Sequence, residues 1–177
     1  LGSVGRPISG VDVKIISVHT KNPIEEVGLI YLSSPTIKKM HSDSKLSKQN
    51  WQNTGDLGKV HSNGEIIFLG RSDDLIIFNG INIYPREIES ILENKAGIKE
   101  VAAFSIDSEK NGNIPVACVV ASFEGLHESS LLNYCKQFLG VKAPKRIFFI
   151  KKMPRNTAGK ILKRELKKRF SSIMSQK

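Results

Sequence analysis

Asn79-Gly80-Ile81-Asn82-Ile83-Tyr84-Pro85-Arg86-Glu87-Ile88-Glu89 is the stretch on which the reading of this chain turns. Asn-Gly between the apolar runs LIIF (75–78) and INIY (81–84) predicts two short strands joined by a tight hairpin. Pro85 then opens a helix, because its fixed φ suits the first helical turn and its missing N–H costs nothing there. Ile88, Ile91 and Leu92 recur at helical spacing, so one face is apolar. Gly97 is the expected stop. A switch from strand to helix periodicity in so short a span marks mixed α and β structure.

C-terminal to this stretch the pattern continues. VAAFSI (101–106) and VACVVASF (116–123) read as strands separated by a loop at Glu109–Asn113. A helix over about 128–139 places Leu131, Leu132, Cys135, Phe138 and Leu139 at helical spacing and ends at Gly140. RIFFI (146–150) is a further strand. A final helix from about residue 160 carries Leu162, Leu166, Phe170 and Ile173 on one face. The expectation is an α+β domain with a three-stranded sheet and helices packed on it.

N-terminal to it the chain is mostly β. VDVKIISV (11–18) and VGLIYL (27–32) read as strands, and residues 33–53 as a long polar surface loop. Gly58 to Gly70 reads as a hairpin turning at Ser62-Asn63-Gly64. The charged tetrad Arg71-Ser72-Asp73-Asp74 separates these two unlike parts, giving expected domains 1–72 and 73–177. There is no internal repeat.

The 177 residues carry 27 Lys+Arg against 17 Asp+Glu, a formal net charge of +10. The excess is local: residues 142–177 hold thirteen basic residues and one acid, Glu165, whereas residues 1–141 hold fourteen basic and sixteen acidic. Basic charge invites a nucleic-acid reading, but aromatics are not interleaved with the charge in KILKRELKKRF (160–170). A solvated helix face with an apolar stripe accounts for it more simply, and no nucleic-acid partner is expected. No run of eighteen apolar residues exists, so no transmembrane helix is expected, and the first residues lack the pattern of a signal peptide. Cys118 and Cys135 lie in apolar settings and imply no disulfide, which fits a reducing, cytoplasmic location. His19, His41, His61 and His127 are too scattered for a metal-ligand pair, and no metal site is expected within this chain.

Taken singly, the polar motifs are weak. Thr54-Gly55-Asp56 could bind a pair of hydroxyls through its carboxylate, but Gly and Asp are turn formers and a turn is the simpler reading. Arg71 could reach phosphate or sugar oxygens, or merely belong to a solvated linker. Pro154-Arg155-Asn156-Thr157-Ala158-Gly159-Lys160 allows close backbone approach to a ligand. It is not a Walker P-loop: Pro154 stands where the first Gly is needed and Ile161 where Ser or Thr is needed.

Their order is specific. TGDLG, then GRSDDLI, then NGINIYPREIE, then PRNTAGK closely resembles the adenylate-forming (AMP-binding) superfamily, and GSVGRPISGVDVKI and GLIYLSS extend the resemblance over essentially the whole chain. INIYPREIE and Lys142-Ala143-Pro144-Lys145-Arg146-Ile147 look most like acyl-CoA synthetases. The resemblance implies that residues 1–72 end the large AMP-binding domain as part of a β-barrel-like subdomain, and that 73–177 form its mobile small C-terminal domain. It implies nucleotide-binding roles at the ATP ribose for Asp56 and Arg71, a hinge at Asp73, a CoA tunnel lined by Gly80, and catalysis of adenylation by Lys160. The implied reaction joins a carboxylic acid, on this resemblance a fatty acid, to CoA through an acyl-AMP intermediate. ATP, CoA and Mg2+ are the implied cofactors. The phosphate loop, the magnesium carboxylate and most of the acyl pocket would lie before Leu1, so the fragment alone is expected to be inactive. Trp51-Gln52-Asn53 departs from the aromatic-rich pattern usual before TGD. Two rival readings remain: an acyl-AMP ligase or adenylation domain that loads an acyl carrier protein, and a basic nucleic-acid-binding module.

Overall fold

A computed structural model describes residues 2–17, 27–36, 51–108 and 112–174, and the chain divides into two units, Leu1–Asp73 and Asp74–Lys177.

The first unit is an antiparallel meander of β1 (Asp12–Ile16), β2 (Gly28–Ser33), β3 (Trp51–Val60) and β4 (Ile66–Arg71), paired in sequence order. Ile15, Ile30 and Ile66 form a small core between the strands. The β3–β4 turn is closed by His61 N donating to Glu65 O at 2.8 Å, with Gly64 at φ 81°. The N-terminal segment lies along β4, where Val4 N donates to Ile66 O and Ile66 N to Gly5 O, each at 2.9 Å.

Two expectations are corrected in this unit. The polar loop foreseen over 33–53 already ends at Trp51: Trp51, Gln52 and Asn53 pair with Ser33, Leu32 and Tyr31. A strand needs a partner for its backbone, and β2 supplies one whatever the side chains. Residues 37–50 of that loop lie outside the described residues. Thr54-Gly55-Asp56 belongs to β3 rather than to a free turn. The register jumps from Tyr31↔Asn53 to Leu29↔Leu57, so these three residues stand opposite Ile30 alone as a bulge. The turn-forming residues do bend the chain there, with Gly55 at φ 74°, but inside a ladder.

The second unit is layered. β5 (Ile76–Phe78) and β6 (Ile81–Ile83) form the expected hairpin, with Asn79 at φ 50° and Gly80 at φ 75°, the left-handed pair a two-residue turn requires. Helix α1 (Pro85–Glu93) follows with Pro85 in its first turn. The long strands β7 (Ile98–Ser108) and β8 (Gly112–Ala121) pair antiparallel, helix α2 (Glu128–Leu139) crosses back, and β9 (Arg146–Phe149) lies parallel to β8. Helix α3 (Lys163–Met174) ends the described chain. Residues 109 to 111 of the expected β7–β8 loop lie outside the described residues.

β7, β8 and β9 are the three strands foreseen, but the sheet has five: the order is β6-β5-β8-β7 with β9 also on β8. The hairpin joins through Phe78 opposite Gly112. That junction depends on where the long β7–β8 ribbon ends, which no local pattern states. Along β7 and β8 the side chains alternate between two cores. Val101, Ala103, Ala117 and Val119 face Ile88, Leu92, Leu131 and Cys135 of α1 and α2. Ala102, Phe104, Val116 and Cys118 face Leu166 and Phe170 of α3. A sheet covered on both faces explains why VAAF and VACVV read as continuous apolar runs. Phe148 of β9 stacks on Phe170, ring centroids 4.2 Å apart.

Three helical details differ from expectation. α1 stops at Glu93 and Asn94; Gly97, at φ 89°, instead turns the chain into β7. Phe138 is exposed, because only Leu131 and Cys135 of α2 are fully inside. α3 begins at Lys163, three residues later than foreseen, since residues 155–161 form their own bridged loop. The Ile173 side chain lies outside the described residues.

Candidate active-site elements

Asp56 and Arg71 are brought together by the β3–β4 register, in which they are direct partners. Arg71 Nη1 lies 3.1 Å from Asp56 Oδ1 and donates to Thr54 O at 2.7 Å. The bulge is held from within: Thr54 Oγ1 donates to Ile30 O at 2.9 Å and accepts from Asp56 N at 3.1 Å, while Gly55 N donates to Asn53 Oδ1 at 2.8 Å. A Cβ on Gly55 would come within 3.3 Å of Arg71 Nη1, so glycine there lets the guanidinium lie close over the bulge. The side chains remain 53% and 28% exposed. A carboxylate acceptor beside a fork of N–H donors, open to solvent, suits a polyhydroxylated or anionic group.

Gly80 sits at the exposed tip of the β5–β6 hairpin, with nothing within 4 Å of where a Cβ would be. Backbone stripped of side chain allows close approach of an extended ligand. Asp73 lies in a single 3₁₀ turn, Ser72–Asp74, at the division between the two units, and is exposed.

Lys160 is carried by a tight loop after Met153, whose buried side chain anchors the entry. Arg155 and Ile161 form an isolated bridge, and Leu162 N donates to Pro154 O at 2.9 Å, so the loop is pinched at its base. Inside it Asn156 N donates to Lys160 O at 3.0 Å and Gly159 N to Asn156 O at 2.9 Å. The Lys160 side chain is exposed and makes no hydrogen bond or ion pair among the described residues. A cation on a fixed loop, with no carboxylate of its own, is available to an incoming anion. Beside it opens a cavity of about 760 Å³ whose polar lining includes Lys152, Arg155, Thr157 and Arg169.

Several residues that hold these elements were not singled out from the sequence. Arg155 pairs with Glu100 of β7, Lys163 with Glu89, Lys167 with Asp107, Lys142 with Glu87 and Arg146 with Glu128. The basic C-terminal segment is therefore not only a solvated face: five of its thirteen basic residues pair with acids between residues 87 and 128. These partners are far apart in sequence and carry no local signal. Tyr84, beside the Glu87–Lys142 pair, has its phenol pushed up by burial and then by the Glu87 charge. Among the described residues no group of three or more His, Cys, Asp or Glu is placed to hold a metal ion. No helix among them is long and apolar enough to cross a membrane.

Residues 87–160 match the family described as AMP-binding enzyme C-terminal domain. The chain is 32% identical over 95% of its length to 2-succinylbenzoate–CoA ligase of Oceanobacillus iheyensis, of which it covers 36%. It is 29% identical over 94% of its length to long-chain-fatty-acid–CoA ligase of Salmonella typhimurium, of which it covers 31%. Its fold superposes on ATP-bound MatB from Rhodopseudomonas palustris with a TM-score of 0.84 and 30% identity, over 97% of this chain and 36% of that one. Residues 87–160 thus carry the C-terminal domain of AMP-binding enzymes, and the chain is similar along nearly its whole length to CoA ligases. It spans about a third of the length of the relatives it matches.

Proposed function

We propose that the protein is the C-terminal third of an AMP-forming acid–thiol ligase that converts a carboxylic acid to its CoA thioester. The observation that carries this reading is Lys160, a cation with no partner among the described residues on a loop whose backbone is tied at both ends. The naming of curated relatives as CoA ligases supports the acceptor. Those relatives differ in acid, so the acid here is left as a small carboxylate, with a fatty acid as one candidate.

In the first half-reaction a carboxylate oxygen attacks the α-phosphorus of ATP and pyrophosphate leaves. Negative charge grows on the phosphoryl oxygens, and the Lys160 ammonium stabilises it more in the transition state than in the ground state. Asp56 accepts hydrogen bonds from the ribose hydroxyls and Arg71 steadies the same sugar. In the second half-reaction the CoA sulfur attacks the acyl carbon and AMP leaves, the thiol proton passing to solvent. Gly80 leaves room for the pantetheine arm, and rotation about Asp73 exchanges Lys160 for the Gly80 hairpin.

The test uses the full-length enzyme with Lys160→Ala. Acyl-AMP formation should fall by roughly a hundredfold or more, as loss of a transition-state charge partner does, while thioester formation from supplied acyl-AMP and CoA persists. Unchanged acyl-AMP formation would sink the assignment. Loading of a carrier protein without any product from free CoA would replace the acceptor.

A further inference from the structure

The peptide group between Gly159 and Lys160 has two polar atoms, and a different side chain holds each. Arg155 Nη1 donates to the Gly159 carbonyl at 2.6 Å. The Lys160 N–H donates to Asn156 Oδ1 at 2.8 Å. The Lys160 carbonyl in turn accepts from Asn156 N at 3.0 Å, so both polar backbone groups of Lys160 end on Asn156. Arg155 is itself oriented, because its Nη2 pairs with Glu100 Oε2 on β7. The chain Glu100–Arg155–Gly159 thus links a strand of the sheet to the peptide preceding Lys160.

Arg155, Asn156, Gly159 and Lys160 are all exposed. Exposed hydrogen bonds contribute little to global stability, each about 1 kcal/mol or less. Their convergence on one peptide is therefore better matched to placement than to holding the fold together. A lysine side chain has four rotatable bonds, and its ammonium can be aimed only if its Cα is fixed first. Arg suits position 155 because its planar fork reaches two acceptors at once, the Glu100 carboxylate and the Gly159 carbonyl. A lysine there could hold only one of them in that geometry.

We propose that Arg155 and Asn156 are positioning residues for adenylation, fixing the Lys160 backbone while leaving its ammonium free, and that Glu100 orients Arg155. This rests on the reading of Lys160 as the adenylation cation. None of these hydrogen bonds involves the Gly80 hairpin, so the two half-reactions separate the proposal from general damage.

The experiment uses full-length Asn156→Ala, Asn156→Asp, Arg155→Lys and Lys160→Ala enzymes. Acyl-AMP formation and thioester formation from supplied acyl-AMP are assayed separately. Asn156→Ala and Arg155→Lys should lower kcat for acyl-AMP formation roughly ten- to a hundredfold, the scale of misplaced catalytic groups. KM for ATP and the thioester step should stay within about twofold. Asn156→Asp keeps an acceptor for the Lys160 N–H and should recover most of the rate. Wild-type adenylation in Asn156→Ala and Arg155→Lys, with Lys160→Ala inactive, overturns the positioning role and leaves the function proposal standing. Equal losses in both half-reactions also overturn it, as plain structural damage. Wild-type adenylation by Lys160→Ala removes the function proposal, and this inference with it.

Discussion

Lys163 Nζ lies 2.8 Å from Glu89 Oε1, the same carboxylate oxygen that accepts the Ala103 N–H at 3.0 Å. One carboxyl group thereby joins α1, strand β7 and the first residue of α3. Among the described residues β7 ends the sheet order, and Ala103 directs its N–H away from β8. Such an outward donor needs an acceptor, and Glu89, only 12% exposed, provides one that is also charged.

Replacing Glu89 by Ala leaves a part-buried N–H and the Lys163 ammonium without their acceptor. The expected loss is about 2 kcal/mol, with Glu89→Gln losing about half as much because its amide oxygen still accepts. Urea unfolding followed by circular dichroism measures this. Equal midpoints for Glu89→Ala and wild type would show that the linkage carries no stability.

The Asp56–Arg71 pair should behave oppositely. Both side chains meet solvent, so Arg71→Ala should change stability by less than about 1 kcal/mol. In the full-length enzyme the same substitution should raise the ATP concentration needed for half-maximal acyl-AMP formation. A thermal melt beside an ATP titration separates the two effects. A large drop in melting temperature with an unchanged titration would make the pair structural.

Two glycines test opposite constraints. A Cβ on Gly28 would lie 2.3 Å from Ile16 O and 2.6 Å from Ile16 C, backbone atoms that cannot step aside without parting β1 from β2. Gly28→Ala should therefore cost more than about 2 kcal/mol, as overpacking against a rigid neighbour does. Gly80→Ala meets nothing within 4 Å, and only its φ of 75° is unfavourable, a cost of about 1 kcal/mol. Its larger effect is expected in thioester formation, with acyl-AMP formation retained. Chemical denaturation ranks the pair, and equal stabilities would contradict the packing argument.

The two cysteines should be silent in the native state. Burial pushes the Cys118 thiol from 9.0 up to about 12 and Cys135 from 9.0 up to about 11. Iodoacetamide at pH 8 should label neither in the folded chain and both after unfolding, read by mass spectrometry. Because both folded values lie above the unfolded value, the protonated thiol is favoured by folding. This stabilisation is present in full below about pH 9 and is lost as pH rises towards 11 and 12. Rapid native labelling of Cys118 would show that α3 does not cover it.

The hairpin at Asn79-Gly80, the helix after Tyr84 and the α2 boundaries were legible because each rests on short-range chemistry. A left-handed turn, a fixed proline φ and a periodic apolar face are written in consecutive residues. The bulge at Thr54-Gly55-Asp56 was half legible: its residues announce a bend, but only the pairing of β2 with β3 turns that bend into part of a strand. The five-stranded sheet was hidden for the same reason, since register is a relation between distant segments.

By itself, then, the sequence determined the order of the motifs, the Gly-Lys loop that makes Lys160 a candidate and the sharp division of charge at residue 142. The tertiary structure decided what that charge does. Glu100 and Arg155 are 55 residues apart, and Glu89 and Lys163 are 74 apart, yet each pair meets across the layers. Which cations are paired, and that Lys160 has no partner among the described residues, follows from strand register and helix placement, because an ion pair forms only where packing has already brought its two ends within reach.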